Sequence, residues 1–105
     1  MALHPIVDIR SRAVFAHEAL VQGHRGEPAE VVFAEVQPSD RIAFDQACRL
    51  KAIQFARQLN LASYLSINCL LASLQDSAAC IRTTCEIAQQ LGLVSEQLIF
   101  EITES

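Results

Sequence analysis

The chain has 105 residues, a length that holds one domain at most. Half of it is hydrophobic (51%) and 19% is charged, which excludes a disordered polymer. A net charge of −4 with scattered arginines excludes DNA or RNA as the main partner, and no apolar run reaches the roughly 18 residues that a membrane span needs. No signal-peptide pattern opens the sequence. Four cysteines, at 48, 69, 80 and 85, lack C-x-x-C spacing. The expectation is a soluble, cytoplasmic protein whose cysteines are all reduced and buried.

Pro5-Ile-Val-Asp-Ile9 reads as a first strand, turned by Arg10-Ser-Arg12 into a second strand over 13–22. Gly23 to Pro28 carries two glycines and a proline and reads as a loop. Residues 30–36 are spaced for a short helix. Pro38-Ser39-Asp40 is a helix start, with Ser39 or Asp40 as the N-cap. Apolar residues then recur at helical spacing from Ile42 to Leu59, which predicts the longest helix, running to Asn60. Arg41, Asp45, Arg49 and Arg57 fall on what reads as its solvated face. A third strand, Tyr64 to Cys69, precedes a helix from about Ser77 to Leu91 that ends on Gly92. Leu98 to Thr103 is the fourth strand. No internal repeat or low-complexity segment is visible.

The order β-β-α-α-β-α-β puts a helix after each strand from the second onward, the pattern of parallel strands with crossover helices. Side-chain alternation sets Leu65, Ile67, Phe100 and Ile102 under those helices. Glu18, Asn68 and Glu101 then share the opposite face, near the carboxyl ends of their strands, where sites form in α/β barrels and open sheets. An isolated carboxylate in an apolar run is costly to bury, so Glu18 should be paired, protonated or bound to a cation. Two carboxylates and an amide carbonyl are hard donors that suit Mg²⁺, Mn²⁺ or Ca²⁺ better than zinc. An ion held by few protein ligands keeps positions for water and phosphate oxygens, as metal-assisted phosphodiester hydrolysis requires. On spacing alone the alternative stands that Glu18 and Glu101 cap helices or pair with arginines. His17 reads as packed on the face opposite Glu18, His24 as a solvated loop residue, and Tyr64 as core.

Glu18-Ala19-Leu20, preceded by Pro5-Ile-Val-Asp-Ile and followed by Leu65-Ser-Ile-Asn68 and Phe100-Glu101-Ile-Thr-Glu104-Ser, resembles the EAL domain family. Those are the cyclic-di-GMP phosphodiesterases of bacterial signalling. The stretch from Asp40 to Ile53 also resembles the subgroup found behind blue-light sensors or standing alone. The resemblance implies the N-terminal half of a modified (β/α)₈ TIM-like barrel whose first strand runs antiparallel. It further implies hydrolysis of cyclic-di-GMP to linear pGpG with Mg²⁺ or Mn²⁺. By the same resemblance Glu18, Asn68 and Glu101 match metal ligands, and Glu104 matches a glutamate that orders a loop and supports dimerisation. Leu20, His4 and Gln22 fall at or beside ligand-contacting positions. Two of these depart from the family: His4 stands where a glutamine is usual, and Gln22 where an arginine usually reaches a phosphate. Gln22 thereby lacks a charge-assisted bidentate contact.

A barrel of this kind takes about 250 residues, so residues 1–105 are expected to form a partial EAL domain. The family's paired Asp-Asp, its catalytic Lys and its later Glu have no counterpart here. The expectations are a chain inactive by itself that self-associates through the exposed edge of a half-barrel. Two alternatives stand beside it. One is a degenerate EAL module that binds a nucleotide or a protein partner. The other is an open α/β sheet used for protein interaction, although the glycine-rich phosphate loop common in such folds is absent.

Overall fold

The alternating runs form strands and the helically spaced runs form helices. The computed structural model describes residues 1–74 and 77–104, with the backbone alone for 77–79. The strands are β1 (Ala2–Val7), β2 (Val14–Leu20), β3 (Tyr64–Leu70) and β4 (Leu98–Thr103). The helices are α1 (Ala29–Ala34), α2 (Arg41–Gln58) and α3 (Ser77–Gln90). The sheet order is β1-β2-β3-β4, with β1 antiparallel to β2 and the remaining neighbours parallel. This is the opening part of a TIM-like barrel, with the antiparallel first strand that the resemblance implies.

β1 begins and ends earlier than the sequence suggests. Ala2 and Leu3 pair with Leu20 and Ala19, which draws them into the ladder. Asp8 leaves the ladder to close the turn. Its carbonyl accepts from the Arg12 N–H at 2.7 Å, and its side chain accepts from the Arg10 N–H at 2.9 Å. Ile9 is therefore 90% exposed. At α2 neither Ser39 nor Asp40 caps through its side chain. Asp40 is the N-cap by position only, after a short 3₁₀ turn at Pro38–Asp40.

Both long helices stop by the same device. At the end of α3, Gly92 has φ +90°, the Gly92 N–H donates to Gln89 O at 3.0 Å, and the Leu93 N–H donates to Ala88 O at 2.9 Å. At the end of α2, Asn60 takes φ +50° and makes the matching pair of bonds to Arg57 O and Ala56 O through itself and Leu61. These are Schellman caps, and each turns a leucine back toward the sheet. The core lies between the sheet and α2 and α3. It joins Leu65 and Ile67 of β3 to Ala52, Ile53 and Ala56 of α2, with Ala88 of α3 and Leu93 after it. Alanines on the helix side let α2 lie close to β3. Ile53 and Leu65 are fully buried, each worth about 1.5–3 kcal/mol of apolar burial.

Asp45 and Arg49 do not lie on a solvated face. Each is only 3% exposed, and they form an ion pair one helical turn apart. Their positions continue the buried stripe 45, 49, 52, 53, 56. The Asp45 Oδ2 also accepts from the Leu70 N–H at 3.2 Å and the Ser73 hydroxyl at 2.9 Å. Arg49 directs Nη1 at Cys69 Sγ (3.4 Å) and Nη2 at Cys80 Sγ (3.2 Å).

All four cysteines are free, but only Cys69 is buried; the other three are half-buried. Burial pushes the thiols of Cys48 and Cys69 up to about 11, so both stay protonated near neutrality. Tyr64 is not core: it is 43% exposed and packs its ring against Phe15, centroids 5.0 Å apart. His17 is packed as expected, its Nδ1 2.7 Å from the Ser63 hydroxyl.

The buried pair gives a stability test. Asp45→Ala alone or Arg49→Met alone should each cost about 3–5 kcal/mol in urea unfolding, because each strands a buried charge. The double variant should cost much less than the sum of the two.

Candidate functional site

The parallel register decides which polar side chains meet. Glu18 stands opposite His4 on β1 and Ser66 on β3, while Asn68 stands opposite Glu101 on β4. All five therefore share the face turned away from α2 and α3, because their sequence neighbours Leu65, Ile67 and Cys69 are buried under the helices. Three of the positions named from the sequence, Glu18, Asn68 and Glu101, are thus brought together. They converge because β2, β3 and β4 run in the same direction.

Asn68 directs its Nδ2 toward Glu18 Oε2 and the Ala19 carbonyl, both at 3.4 Å. Among the described residues the Asn68 carbonyl oxygen takes no hydrogen bond. Glu18 and Glu101 face each other across β3, and the Glu18 carboxyl is held above the ordinary carboxylate range. The main cause is a hydrogen bond shared with Glu101. Partial burial and the Glu101 charge push the same way, while the Asn68 amide and His4 oppose the shift. Ser66 adds a buried hydroxyl that has no hydrogen-bond partner among the described residues on this face.

A cavity of about 250 Å³ opens at the carboxyl ends of the strands. Glu18, Leu20, Asn68 and Thr103 line it from the sheet, and Phe33, Asp45 and Cys48 from α1 and α2. Leu20 thus belongs to the site region, and His4 sits beside Glu18, although exposed. Gln22 and Glu104 are not brought in. β2 ends at Leu20 rather than at residue 22, leaving Gln22 exposed outside the cavity lining, and Glu104 is exposed just past β4. Ser105, the last residue of that motif, lies outside the described residues.

A Glu18 carboxyl whose proton affinity is raised by the facing Glu101 calls for a proton or a cation beside it. The hard oxygens of the two carboxyls, with the Asn68 carbonyl, fit a divalent ion of the Mg²⁺, Mn²⁺ or Ca²⁺ class. The donor set is partial, since no three His, Cys, Asp or Glu side chains converge on a metal-sized site among the described residues. The sequence reading places Asp45 and Arg49 on the solvated face of α2, whereas both are buried beside the site. Their i, i+4 spacing in phase with Ala52, Ile53 and Ala56 was the available signal, and it is masked when charged residues are assumed to face water.

The chain is matched over residues 1–105 by the EAL domain family model. It is 31% identical over 105 residues to the blue light- and temperature-regulated antirepressor BluF of Escherichia coli K12, covering 99% of this chain and 26% of that protein. It superimposes on a standalone versatile EAL protein from Vibrio cholerae O395, in its c-di-GMP-bound form, with a TM-score of 0.88. That pair is 44% identical over 100% of this chain and 44% of the other. The manganese and cyclic-di-GMP complex of Klebsiella pneumoniae BlrP1 aligns with a TM-score of 0.86 at 30% identity, over 97% of this chain and 26% of that one. The chain therefore spans about a quarter to under a half of these relatives. Family match, barrel segment and the placement of the Glu-Ala-Leu motif agree: the chain belongs to the EAL domain family.

Proposed function

We propose that this chain supplies the Glu18–Asn68–Glu101 side of a metal-dependent cyclic-di-GMP phosphodiesterase site. The observation that carries this is the convergence of two carboxylates and a carboxamide on one sheet face at the carboxyl ends of β2, β3 and β4. Glu18 and Glu101 would hold the ion by charge, with the Asn68 carbonyl as a neutral third donor. A bound Mg²⁺ or Mn²⁺ would lower the pKa of an attacking water and offset charge on the phosphoryl group. Leu20 and the apolar wall from Phe33 shape the adjoining cavity, and His4 offers a hydrogen-bonding ring opposite Glu18. Relatives solved with c-di-GMP, and with manganese or calcium, support the same ligand and ion class for this chain. Residues 1–105 carry part of the constellation and do not turn over cyclic-di-GMP by themselves.

A second reading has its own support. Gln22 lacks the charge that would grip a phosphate, and BluF, a relative by sequence, is named an antirepressor. On this reading the module binds a nucleotide or a protein partner without catalysis.

Incubating the chain with cyclic-di-GMP and Mn²⁺ should give no pGpG on chromatography. Turnover that disappears in Glu18→Ala would mean that copies of this chain complete the site between them, which contradicts inactivity. Mn²⁺ titration separates the two readings, because the catalytic one expects binding that Glu18→Gln weakens about tenfold or more.

The raised Glu18 pKa fixes the pH dependence. A carboxyl whose folded pKa lies above its unfolded value of 4.5 favours the folded state below that value and loses this contribution as pH rises through the folded pKa. The metal-free protein is therefore held back at neutral pH by its facing carboxylates. Glu18→Gln should raise its thermal midpoint at pH 7, with the gain shrinking toward pH 4.5. Mn²⁺ affinity of the wild type should fall as the solution is acidified, since proton and ion compete for one place.

The free edges of β1 and β4, with Ile6, Val7 and Ile102 at least 39% exposed, support self-association. Sedimentation at micromolar concentration should give a species larger than the monomer.

A further inference from the structure

β3 outruns its neighbour. Its ladder with β2 ends at Ala19↔Ile67, whereas its ladder with β4 continues to Leu70↔Thr103. β2 itself ends at Leu20, so Asn68 lies just past the last paired position on that side, and Cys69 and Leu70 run beyond the end of β2. A buried backbone N–H without a partner is costly, so something must replace the missing strand. Here a helix does so: the Asp45 carboxylate of α2 accepts the Leu70 N–H at 3.2 Å. The same oxygen takes the Ser73 hydroxyl just beyond the strand and is itself paired with Arg49.

Asn68 lies at the base of this overhang, and its own bonds are too long to hold it. Both Nδ2 contacts are 3.4 Å, at the weak end of hydrogen bonding. The direction of its carboxamide must then be set by the β3 backbone, fixed on one side by β4 and on the other by Asp45. Asp45, Asn68 and Leu70 also border the same cavity.

We infer that Asp45 is a positioning residue for Asn68, standing in for the missing end of β2 and aiming the Asn68 carbonyl into the ion site. This role rests on the metal site proposed above. Arg49 keeps the Asp45 carboxylate in place, and Asp45 acts on Asn68 through its bond to the β3 backbone.

The test uses the full 105-residue chain, amide hydrogen exchange by NMR, the Asn68 side-chain amide signals and Mn²⁺ titration. Asp45→Ala/Arg49→Met removes both buried charges together and so avoids stranding either one. In this folded variant the Leu70 amide should exchange about tenfold faster while those of Leu65 and Ile67 stay protected. The Asn68 side-chain amide signals should move, and Mn²⁺ affinity should fall about tenfold. Asp45→Asn in the Arg49→Met background, which keeps an acceptor oxygen without stranding a charge, should restore Leu70 protection and most of the affinity.

An unchanged Leu70 exchange rate, or a freed Leu70 with Asn68 signals unmoved, would overturn the inference. If wild-type Mn²⁺ binding proves indifferent to Glu18→Gln, the metal assignment is wrong. The positioning role is then decided by the Leu70 and Asn68 signals alone, on the same criteria.

Discussion

Burial of Leu65, Ile67 and Cys69 beneath α2 and α3 is the constraint on which the rest depends. A strand alternates its side chains, so committing the odd residues of β3 to a dry interface commits Ser66 and Asn68 to the other face. Parallel pairing in register carries that commitment sideways to Glu18 and Glu101. A slip of one residue in either ladder would send a carboxylate into the core, at a cost the small core could not absorb. Hydrophobic packing on one side of the sheet therefore assembles the polar site on the other, without the site's own interactions having to do so.

Those interactions are in fact unfavourable to folding. A carboxyl such as Glu18, whose proton affinity is raised by a second carboxyl facing it, would not be selected by stability. Glu18 and Glu101 are tolerated because the alternation places them where partial exposure softens their repulsion. A structural carboxylate in this protein looks different. Asp45 is fully buried, paired with a cation one turn away, and gives one oxygen to three donors. The contrast is between a satisfied buried acid that holds the fold and a facing, half-exposed pair that does not.

Much of this was legible in the sequence. Period-two alternation located β2, β3 and β4 and assigned Glu18, Asn68 and Glu101 to one face, because alternation is local and needs no knowledge of neighbours. Gly92 announced the end of α3 because only a residue free to adopt positive φ suits that cap. The failures were non-local. Ala2 and Leu3 joined β1 because the end of β2 offered them partners, and Asp8 left it because its carboxylate served the turn better. Tyr64 surfaced because it lies at the strand's opening, where Phe15 and not the core lies against it. Asp45 and Arg49 were misplaced because charge was taken to mean solvent, although their spacing matched the buried stripe.

The position of Asp45 reflects a general constraint on parallel sheets. Strands of a parallel sheet need not end level, and a site built at their carboxyl ends sits where ladders give out. Backbone groups at such tips must find partners outside the sheet, and a helix already packed against it is the nearest supplier. A buried carboxylate there can serve the core and the site at once, since the bond that satisfies Leu70 also fixes the strand carrying Asn68. The ion pair with Arg49 is then more than a substitute for apolar packing, which could fill the same volume at no greater cost. A leucine at position 45 would pack but accept nothing. The Leu70 N–H would be left without an acceptor, and the β3 tip would be held from one side only.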